Sequence, residues 1–598
     1  MESLPELYLK LGDELAAKGD HEEALSCYQK AMEQSCDSEE VVTRLDKNYI
    51  LPQEKAFRDN FAKNCKDINI NFNYEDCKIS FIALSDKNFV MFDREAKRFC
   101  GSADFSTLDI ESREKTFQSV LAADIWDGRE ILDILNRKLW NHVYIVMNDS
   151  ARKFMSFFML PDFTAFFSEN VHIFLNTQEM DDYLSGHSDV YLPHVFFSPN
   201  QEKYECIIEK IHQQRLKREF KGNTAVLSVC IPSYNRGELA LEAVQSAAKA
   251  KYDIEIEILV SNNGSTLGKE GYKTIQDMKD SRIRYYEFEK NQGFKANVFK
   301  CLREARGKFA FLLADEDLLD SAKLDEVFDF LLNTDNVGVC KFNPSEQFRK
   351  DLKIAINKKY KKGGEAFSWA SNFKYFSGYC YNVELMKKYH VIEQLEKIDS
   401  PYCYDYPTCA PMCLLAEVSD MEESGICVWY YRKPAEVGGN LGTEINISSY
   451  TSISSRLEYQ KNILELAEKE LEFEDYKTVL LSCPHRTLSA LSLCMQTLGA
   501  DSWLDICLME YKNCLEIIRE SKWGIEAFDQ SFFQKFDMVF LDWLDCRRIR
   551  PLYSEQENFI ATLRTQIAGY CCNHDIPFLK IDFEHIDEKL DQCLSGLC

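Results

Sequence analysis

Four apolar runs, each ending in a polar turn, dominate the chain between Val226 and Asp320. Val226-Leu-Ser-Val-Cys-Ile231 leads into Pro232-Ser-Tyr-Asn-Arg236, and Ile254-Glu-Ile-Glu-Ile-Leu-Val260 into Ser261-Asn-Asn-Gly-Ser265. Ile283-Arg-Tyr-Tyr-Glu-Phe288 precedes Asn291-Gln-Gly-Phe-Lys-Ala-Asn297, and Phe309-Ala-Phe-Leu-Leu313 precedes Asp315-Glu316-Asp317. Helical patterns fill the intervals. Strands alternating with helices build an open, mostly parallel α/β sheet, and such sheets bind ligands at the carboxyl ends of their strands. The polar turns fall there.

Three carboxylates directly after a buried strand are costly unless something cationic neutralises them. A hard divalent ion, Mn or Mg, held by these oxygens and by substrate phosphates meets that need. It would also stabilise the charge that develops on a departing diphosphate. Asp320 has a plainer role: Asp320-Ser-Ala-Lys-Leu reads as a capped helix start.

The ordered set Pro-Ser-Tyr-Asn-Arg, Val-Ser-Asn-Asn-Gly-Ser, Asn-Gln-Gly, Ala-Arg-Gly-Lys-Phe and Leu-Leu-Ala-Asp-Glu-Asp resembles a family 2 glycosyltransferase with the GT-A fold. The resemblance is specific over about 100 residues. It implies a nucleotide-sugar donor, a divalent metal and inversion at the anomeric carbon. By motif, Pro232, Ser233, Tyr234, Asn235 and Arg236 would line the nucleotide pocket. Asn262 stands where the family often has an Asp that contacts the base, and an amide donates as well as accepts. Asn291, Gly293 and Asn297 match the loop and helix start beside the sugar nucleotide. Asp315, Glu316 and Asp317 match the metal motif, with Asp315 also beside the donor. The aromatic segment Phe373–Tyr381 resembles the family's floor beneath an acceptor sugar. The acid that takes the acceptor proton is expected at Asp405, although the family's Glu-Asp pair is absent; Glu417 and Asp420 are its rivals. Apart from the resemblance, the glycine-rich stretch Glu436–Gly442 reads equally as a loop that closes over the diphosphate, with Arg432 or Lys433 assisting, and as an ordinary flexible loop.

The rest of the 598 residues suggests an α/β multidomain chain. Residues 1–66 read as a tetratricopeptide-like helical hairpin with a connector, on Tyr8, Leu11, Gly12, Leu15, Ala24, Tyr28 and Ala31. One such unit does not bury its own face, so it should dock on the next segment, a protein partner or a second copy. Residues 67–221 read as a Rossmann-like accessory domain with a linker helix, Asp149 ending its second strand. Its turn has one glycine, Gly128, which argues for a structural or acceptor-recognition role rather than cofactor binding. Residues 222–448 would form the GT-A domain, and 449–598 a mainly helical C-terminal region. There the sequence suggests a capped helix start at Ser482–Arg486 and strands at Met538–Leu541 and Phe578–Phe583.

The net charge of −26 argues against nucleic acid as a partner. Twenty-three cysteines without paired Cys-x-x-Cys spacing, and no secretory signal or membrane-length apolar run, suggest reduced thiols in a cytoplasmic protein, acting there or at the inner face of the membrane. The expected function is an inverting glycosyltransferase moving a sugar from a nucleotide-diphosphate sugar to a glycan or protein hydroxyl, in bacterial cell-surface or protein glycosylation. The alternative is a catalytically degenerate transferase that serves as a scaffold.

Overall fold

The computed structural model describes residues 3–34, 36–105, 113–167, 170–218, 225–334, 336–345, 357–372, 375–398, 406–432, 453–494 and 500–545. The chain divides into two compact units, Met1–Arg218 with Phe328–Asn333, and Glu219–Val327 with Thr334–Cys598.

The first unit opens with α1 Leu4–Lys18 and α2 His21–Glu33. Ser3 and Glu6 form a capping box at the start of α1, and left-handed Gly19 ends it. The two helices approach closely because Gly12 has no Cβ, which would lie 2.7 Å from the Tyr28 ring. The hairpin docks on the segment that follows it. Leu9, Leu25, Tyr28 and Ala31 share a core with Val41 and Leu45 of α3 Ser38–Leu45, with Tyr49, and with Ile82 and Phe92. Those last two belong to an antiparallel sheet of β1 Ile79–Ala83, β2 Asn88–Asp93 and β3 Arg98–Asp104, reached through α4 Leu51–Asp67. The third strand escaped the sequence reading because Arg98-Phe-Cys-Gly-Ser is mostly exposed and lacks clean alternation.

A four-stranded parallel sheet follows, ordered β6-β5-β4-β7. Its elements are β4 Val120–Ala123, α5 Gly128–Arg137, β5 Val143–Val146, the short α6 Ala151–Phe154, β6 Val171–Phe174, α7 Thr177–Gly186, β7 Val195–Phe197 and α8 Gln201–Arg215. All four residues of β4 and of β5 are buried, as parallel strands covered on both faces require. Asp149 does not end a strand. β5 stops at Val146, and Asp149 lies in the helical turn Asn148–Ser150.

The second unit holds a nine-stranded sheet ordered β10-β9-β8-β11-β15-β13-β16-β12, with β14 on β16. Its first strands and helices alternate as expected: β8 Leu227–Ser233, α9 Gly237–Ala248, β9 Ile256–Asn262, α10 Lys269–Asp277, β10 Ile283–Glu287, α11 Phe294–Glu304 and β11 Phe309–Leu312. β8, β9, β10 and β11 are parallel. β12 Leu318–Leu319, β13 Val337–Pro344, β14 Lys358–Tyr360, β15 Tyr379–Asn382 and β16 Asp420–Tyr430 complete it, with β15 antiparallel to β11. α9 forms because Ala240, Ala243, Val244 and Ala247 recur on one buried stripe. β8 and β11 are central neighbours, so their carboxyl ends open at one place on the sheet.

The described C-terminal helices, Ile453–Glu470, Phe473–Cys494, Ala500–Glu520 and Gln530–Asp545, share one core with this sheet. Two expectations are corrected here. Ser482–Arg486 does not start a helix, because Pro484 lies inside Phe473–Cys494. Met538–Leu541 is helical rather than extended. Its short apolar run belongs to the stripe Phe532, Phe533, Phe536 and Phe540, whose spacing is that of a helix. The strand expected at 578–583 lies outside the described residues. Among the described residues no helix is long and apolar enough to cross a membrane.

Candidate functional site

The turn after β8 is the first wall of the site. Asn235 is left-handed at φ 57°, a conformation that Asn tolerates better than most residues. Its Oδ1 accepts from the backbone N–H groups of Thr266 at 2.8 Å and Leu267 at 3.0 Å, and its own N–H donates to Ser265 Oγ at 2.7 Å. The turns after β8 and β9 are thereby fastened together. Arg236 N–H donates to Tyr272 Oη at 3.1 Å, and Ser233 Oγ lies 2.7 Å from the same oxygen. Pro232 and Ser233 are buried in the strand end, with Tyr234 half-buried beside them.

Asn262 uses both ends of its amide inside the protein. Its Oδ1 accepts from Ser265 N–H at 3.1 Å, and its Nδ2 donates to Tyr285 Oη at 2.8 Å. A carboxylate could make only the first of these bonds. The neighbouring Asn263 holds the next loop: its Nδ2 donates to Asn291 Oδ1 at 2.9 Å and Gly293 O at 3.0 Å, and its Oδ1 accepts from Gln292 N–H at 2.9 Å. Asn297, in the first turn of α11, donates to Ser233 O at 3.2 Å. Among the described residues its buried Oδ1 has no partner.

The acidic triplet faces this wall. Ser233 Oγ donates to Asp315 Oδ2 at 2.7 Å, and Arg236 Nη1 reaches Asp315 Oδ1 at 3.1 Å and also Glu316 Oε2. Asp317, fully buried, turns the other way. It accepts from Ser377 Oγ at 2.5 Å and lies 3.4 Å from the N–H of Arg432. Arg432 also donates from Nε to Glu316 O and from Nη1 to Glu242, while its buried Nη2 has no partner among the described residues. Two guanidinium groups therefore flank three carboxylates. Asp320 is a cap, accepting from Ala322 N–H at 3.3 Å, and it accepts from Tyr430 Oη as well.

The structure brings Ser233, Asn235, Arg236, Asn297 and Asp315–Asp317 to one end of the sheet. Asn262, Asn291 and Gly293 shape the loops behind it. Asp405, Phe373, Lys433 and the loop 436–442 lie outside the described residues. Sequence reasoning missed Tyr272, Asn263 and Ser377. Tyr272 sits within α10 and belongs to none of the short motifs, so only the fold reveals its place.

Burial, and then the charge of Asp315, push the Glu316 carboxyl up to about 7 despite the Arg236 guanidinium. Burial pushes Asp317 up to about 6 against its hydrogen bonds from Ser377 and Arg432. Both lie above ordinary carboxylate values, so the folded state holds these protons more tightly than the unfolded chain. Their stabilisation is full below about pH 4 and is lost as pH rises through about 6 to 7. The melting temperature should therefore fall over that window, and the fall should shrink in Glu316→Gln/Asp317→Asn. An equal slope in both proteins would refute this assignment.

The donor set suits a divalent cation in kind. Its three carboxylates are hard oxygen ligands gathered at one end of the sheet. It does not suit one in present arrangement. The described residues hold no group of three His, Cys, Asp or Glu side chains set around a common point, and Arg236 binds two of the three acids.

Residues 228–385 match the family model Glycosyl transferase family 2. This stretch is a family 2 glycosyltransferase domain. It carries the β8 and β11 ends, the Asn263 loop, the acidic triplet and Ser377; Arg432 lies beyond it. Among curated proteins, the chain is 34% identical over 105 residues to an uncharacterized glycosyltransferase of Rickettsia felis, covering 18% of this chain and 17% of that protein. It is 27% identical over 117 residues to the abequosyltransferase RfbV of Salmonella typhimurium, covering 19% of this chain and 35% of that one. The chain thus spans well under half the length of these relatives. Among solved structures it resembles S. aureus TarS 1-349, at 13% identity and a TM-score of 0.36, over 54% of this chain and 92% of that one. It also resembles the mannosyltransferase PcManGT of Pyrobaculum calidifontis in complex with GDP-Man and Mn2+, at 12% identity and a TM-score of 0.31, over 57% and 92%.

Proposed function

We propose that the family 2 domain transfers a sugar, with inversion, from a nucleotide-diphosphate sugar to a hydroxyl of a glycan or protein acceptor. The observation that carries this reading is the meeting of Arg236, Asp315, Glu316, Asp317 and Arg432 at the joined carboxyl ends of β8 and β11. Guanidinium groups match phosphate oxygens in pairs, and Arg432 Nη2 is a buried donor without a partner among the described residues. Asn297 Oδ1 is a buried acceptor that a hydroxyl of the donor would satisfy. Asp315, Glu316 and Asp317 offer a divalent ion, Mn or Mg, the right oxygen donors in kind though not in the arrangement seen, and such an ion would neutralise charge on the departing diphosphate. The protein's own contribution is orientation. The Asn235 and Asn263 networks fix the loops, Ser377 fixes Asp317, and the two arginines draw the diphosphate to one side, leaving the anomeric carbon open to the acceptor. Direct attack from the opposite face inverts that carbon. Asp405 remains our proposal for the base that takes the acceptor proton. A role in bacterial cell-surface or protein glycosylation fits this chemistry.

A scaffold without activity is the second reading, and the closed contact of Arg236 on Asp315 and Glu316 is what favours it. A thermal-shift and calorimetry screen of UDP-, GDP-, CDP- and dTDP-sugars, with and without Mn, separates the two. We expect one nucleotide class to bind, with Mn strengthening it and Asp317→Ala abolishing the metal effect. A folded protein that binds none of them would be a scaffold.

A further inference from the structure

We infer that the outer face of α1 is a self-association surface, on which two copies of this chain pair their first helices antiparallel.

Leu4, Leu7 and Leu11 stand 53%, 48% and 46% exposed. Spacings of three and four put them on one stripe of α1, and half-buried Leu15 continues it. A different face of the helix, with Leu9 and Gly12, is the one buried against α2 and the core behind it. Single apolar side chains are ordinary on a surface, but a stripe of them marks a place that something covers. Among the described residues no other helix exposes three large apolar side chains.

The charges beside the stripe identify the cover. Glu6, Lys10, Glu14 and Lys18 follow one another every four residues, and all are exposed. Their row runs along the edge of the leucines and alternates in sign. A matching partner must present the opposite order, and the same row read backwards, Lys-Glu-Lys-Glu, does so. With a two-fold axis at Leu11, Leu11 meets its own copy and Leu7 meets Leu15 of the second copy. Lys10 then comes within one turn of Glu14 across the pair, and Glu6 within one turn of Lys18. In a two-fold interface each such contact occurs twice, and charges flanking an apolar seam set the orientation of paired helices. Antiparallel pairing also brings opposite ends of the helix dipoles together. The charge of the whole chain favours this face over others. The net charge is −26, whereas α1 holds two lysines against three acids. Two copies therefore repel least where their first helices meet.

The test is sedimentation velocity of the full chain from about 1 to about 100 μM, the range in which interfaces of this small size associate. We expect a reversible dimer. Leu7→Gln/Leu11→Gln should weaken it at least about tenfold. Both positions are exposed, so the fold should persist, which circular dichroism checks. Lys10→Glu sets acid against acid twice, and Glu14→Lys sets base against base twice. Each alone should weaken the dimer about threefold or more. Glu6 is left in place because it closes the capping box with Ser3. Mixing Lys10→Glu with Glu14→Lys restores both ion pairs, so the mixture should pair more tightly than either variant alone and close to wild-type strength. A chain that stays monomeric throughout the range would overturn the inference, as would a dimer indifferent to the leucine substitutions. A dimer that needs the leucines but ignores the charge reversals, alone and mixed, would overturn the antiparallel arrangement that the inference states.

Discussion

Asp317→Asn should reduce sugar transfer by about 10²–10³-fold, the loss expected when one preorganised charge is removed from a site where charge develops. The substitution keeps shape and removes charge. Asp317 is fully buried behind the triplet, its carboxylate fixed by Ser377 Oγ at 2.5 Å, and Ser377 Oγ in turn accepts from Ala314 N–H at 2.8 Å. An amide fills the same space, and the serine hydroxyl can rotate to accept from it. The fold should therefore survive. Because burial pushes the Asp317 carboxyl up to about 6, its charge costs stability above that pH, and the melting temperature at about pH 8 should hold or rise. Lost activity with retained stability marks a residue that faces the chemistry. Lost stability with proportionate loss of activity would mark a core residue instead. The measurement is kcat with the donor found in the screen, beside the melting temperature. Activity above a tenth of wild type would remove Asp317 from the proposed machinery. Ser377→Ala is the informative companion: it leaves the charge and frees its orientation, so we expect a smaller loss.

What the sequence made legible follows from how local each signal is. The parallel strands β8 to β11 were readable because each buries a run of apolar residues and ends in a turn with its own chemistry. Asn235 was placed by its motif, but its work was not. A left-handed Asn stitching two turns needs Thr266 and Leu267, some thirty residues away. Arg236 was expected at the nucleotide, whereas its partners are the acids after β11, brought together only by strand order. Tyr272 and Ser377 come from two further segments for the same reason. The misread helix at Met538–Leu541 shows the opposite limit. Four apolar residues fit a strand or a helix equally well, and only the aromatic stripe before them decides. The hairpin at the start illustrates a third case. Its face was seen to need a cover, yet Ile82 and Phe92 could be identified as that cover only from the folded chain.

The contact between α9 and α10 supplies the other large effect. Gly271→Ala should destabilise the second unit by about 3 kcal/mol or more, as forced overpacking without a yielding neighbour does. A Cβ on Gly271 would lie 2.2 Å from the backbone carbon of Gly237, and one on Gly237 would lie 1.8 Å from the carbonyl oxygen of Gly268. Every atom it meets first is main chain, so no rotamer relieves the clash and the two helix starts must separate. That separation reaches the site at once. Gly237 follows Arg236, and Tyr272, one residue beyond Gly271, receives the Arg236 N–H and touches Ser233 Oγ. Pulling α10 away breaks the bonds that set Arg236 and Ser233 against Asp315. Gly271→Ala should therefore lower the melting temperature by about 10 °C and weaken nucleotide binding in whatever protein remains folded. Gly186→Ala is the control, because a Cβ there meets nothing within 4 Å and should shift stability by no more than about 0.5 kcal/mol. Chemical denaturation of both variants with a nucleotide titration decides the matter. If Gly271→Ala keeps wild-type stability, the helix starts are not locked together. If it loses stability but binds nucleotide normally, Tyr272 does not carry the packing to the acids. The joint loss is what glycines at 237, 268 and 271 predict, since they let two helix starts touch and through Tyr272 hold the arginine that faces the triplet.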